Sequence, residues 1–435
     1  MCGTHRPLCR LIANPLSKQL LMKIQLGRRG ANALLLTAIL LASGGWIVVV
    51  RVGNAPLIAA ISVILLCGFL GSTRFPRSIS GMFVLLIALV FIASYAQDLS
   101  VDDKEFFVIL KGLIAMIACI HFKRSRLDFR ELFVDVMYYT ALVSLVLYPL
   151  AYVAPGIARH IDGEYSTVFG LLYVRSTDLE RFAHYRNQGF FWEAGVYGVM
   201  LTLAYIYNAL MFRRRRGVVF LLAAMTTQSM GALSILLPLA VYLYIYSRQP
   251  KLAKLLATIV VVILVAAISL PGFIGDAFAL LFGRNVNSDA SILVRINDLT
   301  LGLRAASDSL WLGRPSGDMD AYNALALDEF GYVKIEDSGI SNSLTWLVYK
   351  FGVPVTLIYC AALWKATRRD FGSLAPIAFL AIVGLLMVEP LGVSIFTLML
   401  LAYRDRATST ASSAVDQHNP TESAGRVPIE PKMNY

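Results

Sequence analysis

The stretch Arg186-Asn-Gln-Gly-Phe-Phe-Trp-Glu-Ala-Gly195 decides how this chain is read, because it carries a polar, basic segment straight into an apolar run over 192–212. It sets a cation, a flexible glycine, three aromatics and Glu193 at what the hydropathy makes a membrane–water boundary. Charge is costly inside a bilayer, so charged groups gathered at the mouth of an apolar helix point to a site.

Outward from that stretch, apolar runs recur along the chain at 33–50, 57–71, 79–96, 106–121, 132–153, 217–228, 231–247, 253–270, 343–364, 374–388 and 391–403. A spanning helix needs about 20 mostly apolar residues, and with 192–212 these runs give about twelve spans. Fusion of two pairs would lower the number to ten. The runs 217–228 and 231–247 flank the polar Thr226-Thr-Gln-Ser-Met-Gly231, a turn or a break in one helix. The last two runs are parted only by Glu389-Pro390, and proline cannot continue the helix it enters. The expected fold class is all-α: a polytopic integral membrane protein with 10–12 transmembrane helices. Composition agrees, with 57% hydrophobic and 15% charged residues and a mean hydropathy of +0.65; a soluble chain carries nearer a quarter charged.

The net charge of +11 does not point to nucleic acid, since most Lys and Arg fall in short clusters between apolar runs, as topology signals do. By that rule the basic residues 1–32 form a cytoplasmic tail, the membrane region is 33–403, and 404–435, rich in Ser, Thr, Pro and Asn, is a disordered cytoplasmic tail. Met22 offers a second start site, with the residues before it an extension. Arg213-Arg-Arg-Arg216 reads as an inner-face anchor, with lipid-headgroup or partner binding as the alternative. The acidic connection Gln97–Asp103 faces outward, and so do two long loops at 155–191 and 272–342. The second loop is partly helical: Ile292, Ile296, Leu299 and Leu303 recur at helical spacing within Ser291–Leu312.

Both outer loops carry arginines: Arg159, Arg175, Arg181 and Arg186 in the first, Arg284, Arg295, Arg304 and Arg314 in the second. The guanidinium fork suits phosphate oxygens, although each arginine taken singly is as readily a solvated or paired surface charge. Glu193 lies just inside the sixth span, placed to snorkel, to pair with Arg186 or to orient a hydroxyl; Glu389 is a weaker candidate of the same kind. His160 and His184 have no metal-ligand spacing with carboxylates, and the five cysteines avoid both outer loops, so neither a metal site nor a disulfide framework is expected. There is no Gly-x-x-x-x-Gly-Lys-Ser/Thr loop and no Gly-x-Ser-x-Gly elbow, so nothing suggests an ATP-driven pump or a hydrolase.

Arg186–Gly195 resembles the Arg-x-x-Gly-Ile/Phe-Phe/Trp-Glu-Pro-Gly entry to a central helix in the O-antigen polymerase and O-antigen ligase superfamily. Thr226–Gly231 resembles the Thr-x-Ser-x-Gly turn that follows it. Arg295-Ile-Asn-Asp-Leu-Thr-Leu-Gly-Leu303 with Leu310-Trp-Leu-Gly-Arg-Pro-Ser-Gly317 is similar to the loop signature of that superfamily. Asp337-Ser-Gly-Ile-Ser-Asn-Ser-Leu-Thr-Trp346, with Phe351-Gly352 beyond, is similar to the motif that closes the large loop. In ligases that last motif carries a His-Asn pair; here it reads Ser341-Asn342, which favours the polymerase branch.

The resemblance implies a metal-independent, inverting, membrane-integral glycosyltransferase of the bacterial inner membrane. Both termini would be cytoplasmic, the active site would face the periplasm, and no cofactor is implied. The donor would be a glycan on undecaprenyl pyrophosphate and the acceptor a hydroxyl of the next lipid-linked unit. Membrane lipids, a chain-length regulator and a flippase would be its partners. Negative charge grows on the departing pyrophosphate, so fixed cations stabilise the transition state more than the ground state; Arg186 and Arg295 are expected in that role. Glu193, Glu336 and Asp337 are candidate bases. Arg181, Arg304, Arg314, Trp192 and Asn342 are expected to bind substrate, and Phe190, Phe191 and Trp192 offer rings for stacking on a sugar. Two other readings stay open: an O-antigen ligase, and a flippase or transporter of lipid-linked oligosaccharide. The near absence of charge within the spans, Lys111 and Lys350 aside, counts against the flippase or transporter.

Overall fold

The computed structural model describes residues 15–44, 55–70, 79–98, 103–154, 157–162, 165–169, 172–176, 185–212, 216–248, 290–314, 319–330 and 340–403. It is mostly helical. Five helices come first: α1 (Pro15–Gly44), α2 (Ala55–Leu70), α3 (Gly81–Asp98), α4 (Asp103–Arg124) and α5 (Phe129–Val153). Four strands follow, β1 (Ala158–Asp162), β2 (Tyr165–Val168), β3 (Leu172–Ser176) and β4 (Tyr185–Gly189). Then come α6 (Ala194–Ile206), α7 (Gly217–Thr227), α8 (Met230–Arg248), α9 (Ala290–Ala306), α10 (Asp320–Phe330), α11 (Ser343–Phe371), α12 (Ala375–Val388) and α13 (Ile395–Ala402).

As far as the described residues reach, each apolar run read from the sequence coincides with a helix; 45–50 of the first run and the whole of 253–270 lie outside them. Length and composition suffice for a membrane crossing in Phe106–Arg124, Phe129–Ala151, Ala194–Met211 and Ser343–Val388, the last of which joins α11 to α12. The other helices are shorter or less apolar, so twelve spans, their orientation and the cytoplasmic placing of the termini are proposals. The segment expected as a basic tail is helical from Pro15 onward. The polar stretch 226–231 separates two helices: α7 ends where Gln228 turns left-handed, with φ of 50°.

The all-α expectation is corrected in 155–191, the first of the two loops expected to face outward. There β1–β4 form an antiparallel meander in chain order. Val168, Leu172 and Val174 bury one face of it against Ala151 at the end of α5. Four- and five-residue strands are too short for alternation to register in a segment this charged.

Among the described helices, α6 occupies the centre. Its residues are buried on nearly every side, the condition under which a helix is apolar all round rather than striped. Close contacts let other elements approach it. A side chain at Gly198 would stand 2.8 Å from Ala232 of α8, and one at Gly189 would stand 2.8 Å from the Tyr197 ring. Asn187, fully buried, ties β4 to its surroundings: its amide donates to Thr226 Oγ1 (2.8 Å) and Ser144 Oγ (3.2 Å), and its carbonyl oxygen accepts from Gly189 N (2.9 Å).

Helix α11 is bent at Gly352, whose φ of 78° is open to glycine at little cost. The bend breaks the ladder between Tyr349 and Val353, and the loop after α9 repairs it. Val353 N donates to Leu310 O (2.7 Å), and Arg314 N donates to Tyr349 O (2.8 Å). A side chain at Gly352 would strike Trp311 O, and one at Gly313 would strike the Lys350 carbonyl. Two glycine-bearing motifs far apart in sequence therefore serve one contact.

Candidate functional site

Helix α9 enters the fold with Arg295 near its start. Arg295 Nη2 donates to Glu389 Oε1 at 2.6 Å, and Nη1 donates to the backbone oxygen of Val388. Val388 is the last residue of α12 and Glu389 its C-cap, so the guanidinium sits on the negative end of a helix dipole. Glu193 Oε1 lies 3.9 Å from the same Nη2. The two carboxylates differ sharply in exposure, 2% for the Glu389 side chain and 39% for Glu193. Arg295 itself is 24% exposed, and the contacts recorded among the described residues use its Nη1 and Nη2.

Glu389 is packed against the first turn of α6. A side chain at Gly195 would collide with Glu389 Oε1 and stand 3.5 Å from Arg295 Nη2. The glycine of the Glu-Ala-Gly sequence is there because an acid and a guanidinium occupy the space a Cβ needs. Glu193 precedes it as the N-cap of α6, in extended conformation and with no side-chain cap bond, which leaves its carboxylate to the cluster.

Arg186 approaches the same region from β4. Its Nε donates to Thr227 O (3.2 Å) and its Nη2 to Gln228 O (3.3 Å), and its charge reaches Glu389. It too is docked on the carbonyl end of a short helix, α7. Each of the two arginines thus rests on a helix C-terminus.

Behind the cluster, Asp298 is fully buried one turn after Arg295 on α9. It accepts from Tyr322 OH of α10 (2.6 Å) and Ser341 N (2.7 Å). Ser343 Oγ donates to Glu389 O (2.6 Å) and accepts from Gly392 N (2.8 Å). Asp298 and Ser343 were not foreseen; the only sequence signal was Asp298 standing three residues after Arg295, hence on the same helix face. Ser341, at the position where ligases carry histidine, has its hydroxyl buried, with no hydrogen-bond partner among the described residues.

Several expected site residues are used otherwise. Arg304 is 58% exposed and pairs with Glu329 of α10. Arg314 Nε donates to Ala305 O (3.1 Å), closing the end of α9. The Asn342 side chain caps α11, accepting from Leu344 N and Thr345 N. Phe191 is buried and stacks on Tyr197 at 5.7 Å, so it is not available to a sugar; Trp192 is half-buried beside Glu193. Leu303 is 46% exposed, and the inward face of α9 is instead Asp298, Leu301 and Ala305. Arg181, His184, Glu336 and Asp337 lie outside the described residues. Among the described residues no group of three His, Cys, Asp or Glu could hold a metal ion.

The fold is an apolar helical one with an arginine–carboxylate cluster set at helix ends, and its helices are those of a membrane protein. Residues 216–360, from the start of α7 into α11, match the family model described as O-antigen ligase, which supports membership of the O-antigen ligase and polymerase superfamily. The matched segment contains Arg295, Asp298, Ser341 and both halves of the Gly313–Gly352 contact. No curated protein matches the chain.

Proposed function

We propose that the chain is a polymerase that joins oligosaccharide repeat units carried on undecaprenyl pyrophosphate into O-antigen or exopolysaccharide at the periplasmic face. The observation that carries this reading is Arg295, held by Val388 O and Glu389 and itself partly exposed, with the half-exposed Glu193 3.9 Å away. A guanidinium fixed at both ends does not reorganise when charge develops on a leaving pyrophosphate, so its stabilisation is delivered in the transition state. Arg186 supplies a second fixed cation. Glu193, acidic and half-exposed, takes the proton from the acceptor hydroxyl as the glycosidic bond forms with inversion and the pyrophosphate departs. The buried Glu389 orients Arg295. Asp337 keeps the role given it by the motif match, and Arg181 that of a first-loop arginine suited to phosphate oxygens.

The family description itself favours a second reading, that of a ligase. Against it stands Ser341, which offers no imidazole at the closing motif. Deletion of the gene followed by analysis of lipid-linked glycans separates these readings. Single repeat units on undecaprenyl pyrophosphate in the outer leaflet, with no polymer, support the polymerase. Long lipid-linked chains left untransferred mean a ligase, and units held on the cytoplasmic side mean a flippase.

A further inference from the structure

The layer built from α9 and α10 turns two kinds of surface outward. On α9 and the 3-10 turn after it, Leu303 stands among exposed Thr300, Arg304, Ser307 and Asp308, and the Asp308 side chain is 80% exposed. On α10, Leu327 likewise stands beside exposed Asp328 and Glu329. Single leucines in such polar company are ordinary on a wetted surface.

Two residues after Asp308 the surface changes. Leu310 is 44% exposed, Trp311 78% and Leu312 51%. Three consecutive large apolar side chains do not stay in water without a use. The turn cannot fold them inward, because its backbone is committed to α11. Leu310 O accepts from Val353 N (2.7 Å), Arg314 N donates to Tyr349 O (2.8 Å), and Gly313 N closes the turn on Ser309 O (2.8 Å). At Gly313 and Gly352 the two backbones meet with no room for a side chain.

The side of α11 that receives the turn shows what covers it. Tyr349 O and Val353 N would bond to each other in an unbroken helix, so the turn sits on the side that carries positions 349 and 353. Down that side at helical spacing come Leu357, 63% exposed, and Trp364, 36% exposed. Exposed Lys365 and Arg368 follow at the basic end of the helix. Helix α11 belongs to Ser343–Val388, which is long and apolar enough to cross a membrane, and apolar residues on the outside of such a helix face lipid. The surface of Leu310, Trp311 and Leu312 continues that stripe.

We infer that Leu310, Trp311 and Leu312 insert into the bilayer as a lipid anchor. The chain passes from water to lipid between Asp308 and Leu310, and the α9–α10 layer is thereby fastened to the membrane beside α11. An indole, apolar in body with one N–H donor, suits such a boundary. The anchor is independent of what the site around Arg295 binds.

The test uses the full-length protein in nanodiscs of ordinary or acyl-chain-brominated phosphatidylcholine. Bromine quenches a tryptophan that touches lipid, and iodide quenches one that touches water. Five tryptophans share the emission. In Trp311→Phe the bromine-quenched part should shrink and the iodide-quenched part should stay. Adding Leu312→Trp to that variant should restore the lost part, which separates removal of a fluorophore from damage to the fold. Leu303→Trp, on the polar face of α9, should instead add emission that iodide quenches and bromine does not. Loss of the iodide-quenched part in Trp311→Phe would put the turn in water and overturn the anchor. Loss of neither part would show the turn covered by protein, a second copy or another chain, and would overturn it equally. Bromine quenching at Leu303→Trp as strong as at Leu312→Trp would overturn the crossing between Asp308 and Leu310.

Discussion

Two arginine–carboxylate clusters lie at opposite ends of the helices, and they differ in what they leave open. At the basic end, Arg130 is 3% exposed and its fork is fully taken up. Nε and Nη2 donate to the two oxygens of Asp128 (2.8 and 2.7 Å), and Nη1 donates to Asp370 (2.6 Å). Its guanidinium also lies 4.9 Å from the Tyr403 ring centroid, and Tyr207 OH contacts Asp370 at 3.4 Å. This network joins the start of α5, the ends of α6 and α11 and the residue after α13. At the other end Arg295 is 24% exposed, and one of its two carboxylates, Glu193, is half-exposed. The first arrangement is saturated and holds helices together. The second has the same chemistry around a guanidinium that stays partly exposed.

The largest expected effect breaks the closed cluster. Arg130→Ala removes both guanidinium bonds to Asp128 and leaves Asp370, 1% exposed, with Arg369 Nε at 2.6 Å as its cationic partner; loss of one member of such a buried network costs up to about 3–5 kcal/mol. The folded fraction on size-exclusion chromatography in detergent should fall steeply, and activity only in proportion to it. Next comes the open cluster. Arg295→Ala should lower polymer formation about 10²–10³-fold at near-normal levels of folded protein, measured as banding on glycan gels against protein recovered. Equal recovery and equal banding for these two variants would erase the distinction drawn between the clusters.

Gly195→Ala sharpens it from the side of packing. The added methyl meets Glu389 Oε1, so Glu389 and Arg295 must shift, and a misplacement of about 1 Å can cost 10²-fold in rate. Activity should fall by about 10-fold or more while α6 stays helical by circular dichroism. Arg186→Lys keeps the charge and loses the fork that spans Thr227 O and Gln228 O; polymer yield should drop sharply, by about tenfold if one transition-state contact is lost. Wild-type yield and chain length would remove Arg186 from the site. Arg304→Ala sets the floor: exposed and paired at the surface with Glu329, it should leave both thermal midpoint and glycan banding unchanged.

The helices were largely readable from the sequence, because the apolar runs 79–96, 132–153 and 192–212 carry too little charge for another environment. The sheet was not. Its strands are short and carry Arg159, Arg175 and Arg186, and the apolar residues that bury it, Val168, Leu172 and Val174, are few. At the site, Arg186, Arg295 and Glu193 were named from their motifs, and the structure adds Glu389 as the partner of Arg295. Arg304, Arg314 and Asn342 were named with the same warrant and serve as a surface pair, a helix closure and a helix cap. A motif records which residue type stands at a position, and the neighbours that occupy its hydrogen bonds come from elsewhere in the chain.

What the sequence alone determined is the medium. A chain with 57% hydrophobic residues, in long runs flanked by Lys and Arg, is sorted by transfer free energy into a bilayer, and that property is additive along the chain. The tertiary structure alone decided which charges meet. Arg295 reaches Glu389 across 94 positions, and Val353 takes its missing acceptor from Leu310. Hydrogen bonds and ion pairs depend on separations of a few ångströms, set by how helices pack and where they stop, and no single segment of sequence contains that distance.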